Sequence, residues 1–326
     1  MDEKELKNLA EQCNLYDSSD SVSVIQKITA LEENFDDDAI VQIYNYFLSV
    51  TKCPDVMMFL IKSLDRYRNQ SSLSVLLDVL LLKNIEPESN ADKEAYINAR
   101  ALCTKAIANM KDTSAVTPLL YCLNNKDENY KVRLACADAL GKIGDKYAVA
   151  PLIDVVQDEG EKSVYLRESA ASALGMLGDL RAVDPLVSIL ETKRGILDKF
   201  TFLKERVIEA LGKLRLNDNE RVFHALKNSL ADESPQIRIN AIEAIMDSDH
   251  PEAYEIIYDC LQDKDDEVKK NALIALYNMR GRRILDEVLA SPDFPDVLKF
   301  EAVAIIEEYE EDNDALSEAI REELDD

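Results

Sequence analysis

The sequence contains no tryptophan, only two histidines (His224 and His250), eight glycines and nine prolines in 326 residues. No apolar run reaches the roughly 18 residues that a membrane-spanning helix requires, so no span is expected. The opening stretch MDEKELKNLAEQ is acidic and polar, unlike the basic-then-apolar pattern of a signal peptide, and a cytoplasmic location is the expectation. The six cysteines form no CxxC pair and have no histidine nearby, so zinc-ligand spacing is absent and no metal ligand is assigned. Two histidines far apart support no Ser/His/Asp or Cys/His arrangement, and carboxylates are too frequent for pairs at helical spacing to mean anything. Gly141-Lys142-Ile143-Gly144 has the spacing of neither a phosphate-binding loop nor a dinucleotide fingerprint. No catalytic residue and no cofactor site is therefore assigned, and the protein is expected not to be an enzyme. Scarce Gly and Pro, with abundant Ala, Leu, Glu and Lys, favour helix over sheet.

Basic charge is also scarce. The formal net charge is −26, of which about −11 falls in the last 26 residues. A duplex-binding protein needs a basic stripe to displace counterions, and none is present. Nucleic acid and anionic membrane are thereby disfavoured as partners, and a basic or neutral protein or peptide is favoured. Solubility alone would also explain the acidic excess.

What the sequence does contain is repetition. Val132–Asp145 (VRLACADALGKIGD) and Leu166–Asp179 (LRESAASALGMLGD) match in phase, and so do the stretches KYAVAPLIDVV and LRAVDPLVSIL that follow them. The offset is about 34 residues, within the range of helical repeats. A small anchor residue recurs at Ala106, Ala139, Ala173, Ala210, Ala244 and Ala275, with Ile305 in the same place. One position on stand Ile107, Leu140, Leu174, Leu211, Ile245, Leu276 and Ile306; seven before the anchor stand Ala99, Val132, Leu166, Leu203, Ile237, Val268 and Leu298. Rows so spaced share one helical face, which should be buried between neighbouring units. Cys103 and Cys136 fall where Ala170, Val207, Ala241, Ala272 and Ala302 stand elsewhere, and read as small buried thiols. Gly144 and Gly178 suit the left-handed residue that closes a helix, and Gly141 and Gly175 would let a neighbour pack close. Pro118, Pro151 and Pro185 suit the first turn of a second helix, where no amide donor is lost. The unit is an αα-hairpin, repeated seven times.

The phased pattern VRxxAAxALGxxGDxxAVxPLxxxL resembles the HEAT-repeat family, in the HEAT-like variety of phycobilisome lyases, well over 96–190 and more weakly over 200–310. The resemblance implies an all-α fold, an α-solenoid built as a right-handed superhelix of antiparallel helix pairs, whose second helices line the concave binding side. As function it implies a non-enzymatic scaffold or adaptor for protein partners, with a bilin-lyase-like or chromophore-handling subunit as the alternative. The diiron hydroxylase built on this fold needs His-Glu pairs, and no such dipeptide occurs here. Three segments are expected: 1–90 as atypical helical repeats (a leader at Glu3–Cys13, then helices over Ser21–Asn34, Asp38–Val50, Asp55–Tyr67 and Ser71–Lys83), 91–310 as the array, and 311–326 as an acidic capping helix or tail. Ile85–Asp92 reads as a linker.

On the second helices, a mainly acidic polar stripe contains Tyr121, Asp154, Asp184, Ser188, Asn228, Glu255, Tyr258 and Asp259, the candidate partner contacts, with the tyrosines as anchors. Early in the first helices a base recurs at Arg100, Arg133, Arg167, Lys204, Arg238, Lys269 and Lys299. Turn carboxylates such as Asp127, Asp158, Asp232 and Asp265 lie near enough in sequence to make this an inter-repeat structural ladder; an anion-binding ladder is the competing reading. The interruption Glu191–Phe202 is either a functional inserted loop or a helix extension packing Phe200 on its neighbour.

Overall fold

The structure, a computed structural model, describes residues 1–16, 20–81, 90–191, 201–214 and 219–308. The expected loop and Phe200 contact within 192–200, and the acidic segment 311–326, lie outside the described residues. Every regular element among the described residues is helical, and the fold is an all-α α-solenoid of stacked helix pairs. Two compact units divide the chain, Met1–Ala182 and Val183–Asp326.

The first unit contains α1 (Glu3–Gln12), α2 (Ser21–Ala30), α3 (Asp37–Val50), α4 (Pro54–Tyr67), α5 (Leu73–Leu80), α6 (Asn90–Met110), α7 (Val116–Asn124), α8 (Tyr130–Ile143), α9 (Val149–Gln157) and α10 (Val164–Leu177). The expected linker ends earlier than its polar composition suggested: Asn90, Ala91 and Asp92 already belong to α6. Side-chain caps fix several of these starts. Asp20 accepts from the Ser23 amide, Asp36 from Ala39, Asn129 from Lys131 and Ser163 from Leu166. First helices α4, α6, α8 and α10 pack in succession, and second helices α5, α7 and α9 lie against them.

The second unit contains α11 (Val183–Glu191), α12 (Thr201–Lys213), α13 (Glu220–Ser229), α14 (Pro235–Met246), α15 (Ala253–Asp259), α16 (Asp266–Arg280), α17 (Arg283–Ala290) and a last described helix, α18 (296–308). Here α12, α14 and α16 stack, flanked by α13, α15 and α17.

The repeating rows form the cores of both units. From Ala99 to Leu298 every residue seven before the anchor is buried, as are the anchors from Ala106 to Ala275. Cys103, Cys136, Ala170, Val207, Ala241, Ala272 and Ala302 are fully buried alike, which is why only a small side chain or thiol occurs there. Gly144 and Gly178 close α8 and α10 with φ of 85° and 63°. Gly141 serves packing instead. A Cβ there would stand 2.8 Å from the Ala173 Cα and 2.7 Å from the Met176 Cε, so α8 and α10 meet too closely for any side chain.

Candidate functional site

In the first unit the second helices α7 and α9 leave a groove of about 850 Å³ between them, lined by Thr117, Leu120, Tyr121, Asn124, Asn125, Tyr147, Ala150, Pro151 and Arg181. Its construction repeats with the sequence. The second helices α7, α9 and α11 are each preceded by a one-turn 3-10 element, capped by an Asp side chain: Asp112 accepts from the Ser114 amide, Asp145 from Tyr147 (2.8 Å) and Asp179 from Arg181 (3.0 Å). Ser114, Tyr147 and Arg181 thus occupy one register position, and the cap holds the backbone whatever the side chain.

Tyr121 is 68% exposed and Tyr147 72%, and neither phenol has a hydrogen-bond partner among the described residues. Both rings line the one groove, where they offer exposed aromatic surface with a polar tip. Arg181, the one cation among the described residues that line the groove, is already committed: its Nε and Nη2 fork onto Asp179 (2.9 and 3.1 Å), and Nη2 also donates to the Lys146 carbonyl (3.0 Å). That hydrogen bonding holds the Asp179 carboxyl down at about 2 and lifts the Arg181 guanidinium. Asp154 lies exposed on α9, one turn beyond Pro151. Of the expected contacts, then, the first unit holds Tyr121 and Asp154. Tyr147, Arg181, Asn124 and Asn125 were missed. Lining up the repeat would have exposed Tyr147 and Arg181, since the turn position that varies as Ser, Tyr and Arg cannot be one the core requires.

The remaining expected contacts fall in the second unit. Asp184 is exposed but paired to Arg221 (2.7 Å), which also reaches Glu191 (2.9 Å), and the Ser188 hydroxyl donates to the Asp184 carbonyl (2.8 Å). Asn228, Glu255 and Asp259 are exposed. Tyr258 is half-buried: its hydroxyl donates to Glu287 (2.6 Å), its ring meets Phe294 edge-on at 6.3 Å, and the hydrogen bond pushes its pKa up to about 12. On the first-helix side of this unit lies a groove of about 930 Å³, with Glu209, Lys213, Asn240, Glu243, Asp247 and Asp249 on its walls. Burial, Asp247 and Glu209 raise the Glu243 carboxyl. Among the described residues no cluster of His, Cys, Asp and Glu could hold a metal ion. Burial raises the thiols of Cys103 and Cys260, the latter to about 12, which leaves them protonated and inert.

The recurring bases make a consistent set of contacts in part. The Nε–H groups of Arg100, Arg133 and Arg167 donate to the carbonyls of Leu80 (2.7 Å), Leu123 (2.9 Å) and Val156 (2.8 Å), at the C-terminal end of the preceding second helix. Arg100 then pairs with Glu128, Arg133 with Glu161 and Lys204 with Asp232, each 28 residues on, and Arg238 forks onto Asp263. Except for Asp232, these are not the carboxylates the spacing suggested. Asp158 instead pairs with Lys126 and accepts from the Gly160 amide (2.9 Å), and Asp265 caps α16 by accepting from the Glu267 and Val268 amides. Lys269 pairs within its own helix to Asp266 (2.7 Å), and Arg167 and Lys299 have no ion pair among the described residues. Burial lowers the Arg167 pKa. It raises the Glu128 carboxyl too, but Arg100, the Asn129 amide and Arg133 outweigh it and hold that group below the usual range.

A stack of αα-hairpins with one close-packed row per first helix defines an α-solenoid. Its sequence profile is that of HEAT repeats, which match at 88–164, 126–201, 196–277 and 223–307, and the chain belongs to the HEAT-repeat family. No curated protein sequence matches it. Among solved structures, similarity extends to Kap95p in complex with RanGDP (12% identity, 92% of this chain and 47% of that one, TM-score 0.56). It extends also to the karyopherin Kap121p bound to the extreme C-terminus of the protein phosphatase Cdc14p (11%, 93% and 37%, TM-score 0.53). The complex of CpcE and CpcF of phycocyanin lyase from Nostoc sp. PCC7120 matches at 22% identity over 73% of this chain and 87% of that one, with a TM-score of 0.44. The chain spans less than half of either karyopherin. At these identities the likeness is one of fold. No described helix is long and apolar enough to cross a membrane.

Proposed function

We propose that the protein is a non-catalytic, cytoplasmic HEAT-repeat scaffold that binds a protein or peptide segment on its second-helix surface, with the α7–α9 groove as its principal contact. The observation that carries this reading is the pair of exposed, unbonded tyrosines, Tyr121 and Tyr147, on one groove with the Asn124 and Asn125 side chains. Rigid aromatics beside adaptable amides suit a polypeptide, whose apolar side chains cover the rings while its backbone meets the amides. Asp154, exposed on α9 one turn beyond Pro151, favours a partner with basic character. An anionic chromophore is the poorer fit, because the cation of the groove is already bound to Asp179.

The test is quantitative affinity purification from native extract with wild type, Tyr121→Ala/Tyr147→Ser and Asp154→Lys. A co-purifying protein should weaken by about tenfold or more in the tyrosine variant, as truncating a central anchor removes some 1–2 kcal/mol. An unchanged set of partners at unchanged helicity would refute the groove as the binding site.

A further inference from the structure

The last described repeat is incompletely covered. In six preceding first helices the residue after the anchor is 0–1% exposed: Ile107, Leu140, Leu174, Leu211, Ile245 and Leu276. At the same register position in α18, Ile306 is only half-buried, as is the anchor Ile305. Ile306 forms one wall of a groove of about 480 Å³, whose other walls are Tyr277, Asn278, Gly281, Arg282 and Leu285 at the α16–α17 turn. That turn is also a basic point in an acidic chain, with Arg280, Arg282 and Arg283 inside four residues. All three are exposed. Arg280 lies over the Tyr254 ring at 3.7 Å, and Arg282 stands 3.5 Å from Asp286.

We infer that this groove is the docking site of residues 309–326 of the same chain. Those 18 residues carry nine carboxylates against one arginine, the complement of the arginine turn, and place Leu316, Ile320 and Leu324 four apart, as one face of a helix would. The connection is short. Ile306 lines the groove and α18 is described to Glu308, so the acidic segment begins within a few residues of the site. An apolar stripe of that segment would cover Ile306 and Tyr277, which are half-buried, and its carboxylates would meet the arginines. The array would thus be closed at this end by a segment held through charge as well as burial. Salt or a competing acidic ligand could then release it.

The lack of tryptophan provides the test. Leu316→Trp in the full chain puts one indole on the docking face. A blue-shifted emission is expected, with acrylamide quenching several-fold below that in urea; both effects should be lost in Arg282→Glu/Arg283→Glu and weakened in molar salt. A second measurement does not depend on that variant folding. In the chain without the indole, Ile320→Ser/Leu324→Ser should speed amide exchange several-fold over 277–285 at unchanged helicity. Quenching as fast in the native chain as in urea would overturn the inference. So would protection indifferent to both salt and the arginine substitutions, exchange over 277–285 that does not change, or protection that appears only as the mass doubles, which would place the segment on a second copy.

Discussion

Replacing Arg238 by Met removes the most fully satisfied contact between repeats. The Arg238 side chain is 3% exposed; its Nε and Nη2 fork onto Asp263 at 2.8 and 2.7 Å, and Nη1 donates to the carbonyls of Asp232 and Glu233 at 2.9 and 3.2 Å. The substitution leaves a carboxylate, 13% exposed, with only the Asp265 amide (2.8 Å) as a donor. Removing one partner of a buried pair costs about 3–5 kcal/mol, and because that amide remains and some water reaches Asp263, the lower end, about 3 kcal/mol, is expected. The dependence on pH has a definite sign. Burial raises the Asp263 carboxyl, but Arg238 with the Asp265 amide outweighs it and holds the folded pKa below the unfolded value. In the wild type the stabilisation is therefore present above the unfolded pKa and lost as pH falls through the folded one. Without Arg238, burial acts with little opposition and favours the neutral acid, so the deficit should be largest near neutrality and shrink toward about pH 4. Repeat arrays need not unfold in one step, so urea denaturation by far-UV circular dichroism should be paired with native-state amide exchange over 230–265. A deficit below about 1 kcal/mol at neutral pH, or one unchanged on acidification, would refute the reasoning. Arg238→Met/Asp263→Met should recover much of the loss, since no charge is then stranded.

Gly141→Val should lower stability by about 1–3 kcal/mol in thermal melts, because its Cβ meets the Ala173 backbone, which cannot move aside as the Met176 side chain can. Gly212→Ala is the contrast: its Cβ would stand 3.4 Å from that of Ala244, and the gain in helix propensity, up to about 1 kcal/mol, should offset the squeeze. Lys111 closes α6 with φ of 54°, in the place that Gly144 fills after α8, so Lys111→Gly should stabilise by about 0.5–1 kcal/mol while Gly144→Ala costs about 1 kcal/mol. All six thiols should resist a disulfide reagent near pH 8 in the native protein and react together in urea, since five are buried and burial raises the pKa of the half-buried Cys260. A cysteine that titrates rapidly in the native state would show its repeat to be open.

Legibility in the sequence follows the chemistry of each position. Where a residue must be apolar and of fixed size, as at Val132, Leu166 or Ala173, the period recurs and the buried row is read directly. The helix-closing glycines and the second-helix prolines are legible for the same reason, since backbone geometry leaves few residues that fit. Pairing of charges is less so. A turn with two or three carboxylates offers several partners within reach of one guanidinium, and Glu161 rather than Asp158 meets Arg133 because Asp158 is drawn to the Gly160 amide and Lys126. The candidate binding surface is hardest, and the repeat itself explains why. Whatever helps neighbouring units pack must be shared between them, so a contact that recognises one particular partner has to lie where the units differ. Ser114, Tyr147 and Arg181 differ while the Asp caps beneath them stay the same, so the scaffold can carry any side chain at that turn at little structural expense. The informative signal for binding in such a chain is therefore the departure from its own period at an exposed position. By that criterion Tyr147 ranks ahead of the acidic stripe, in which Asp184 is already paired to Arg221.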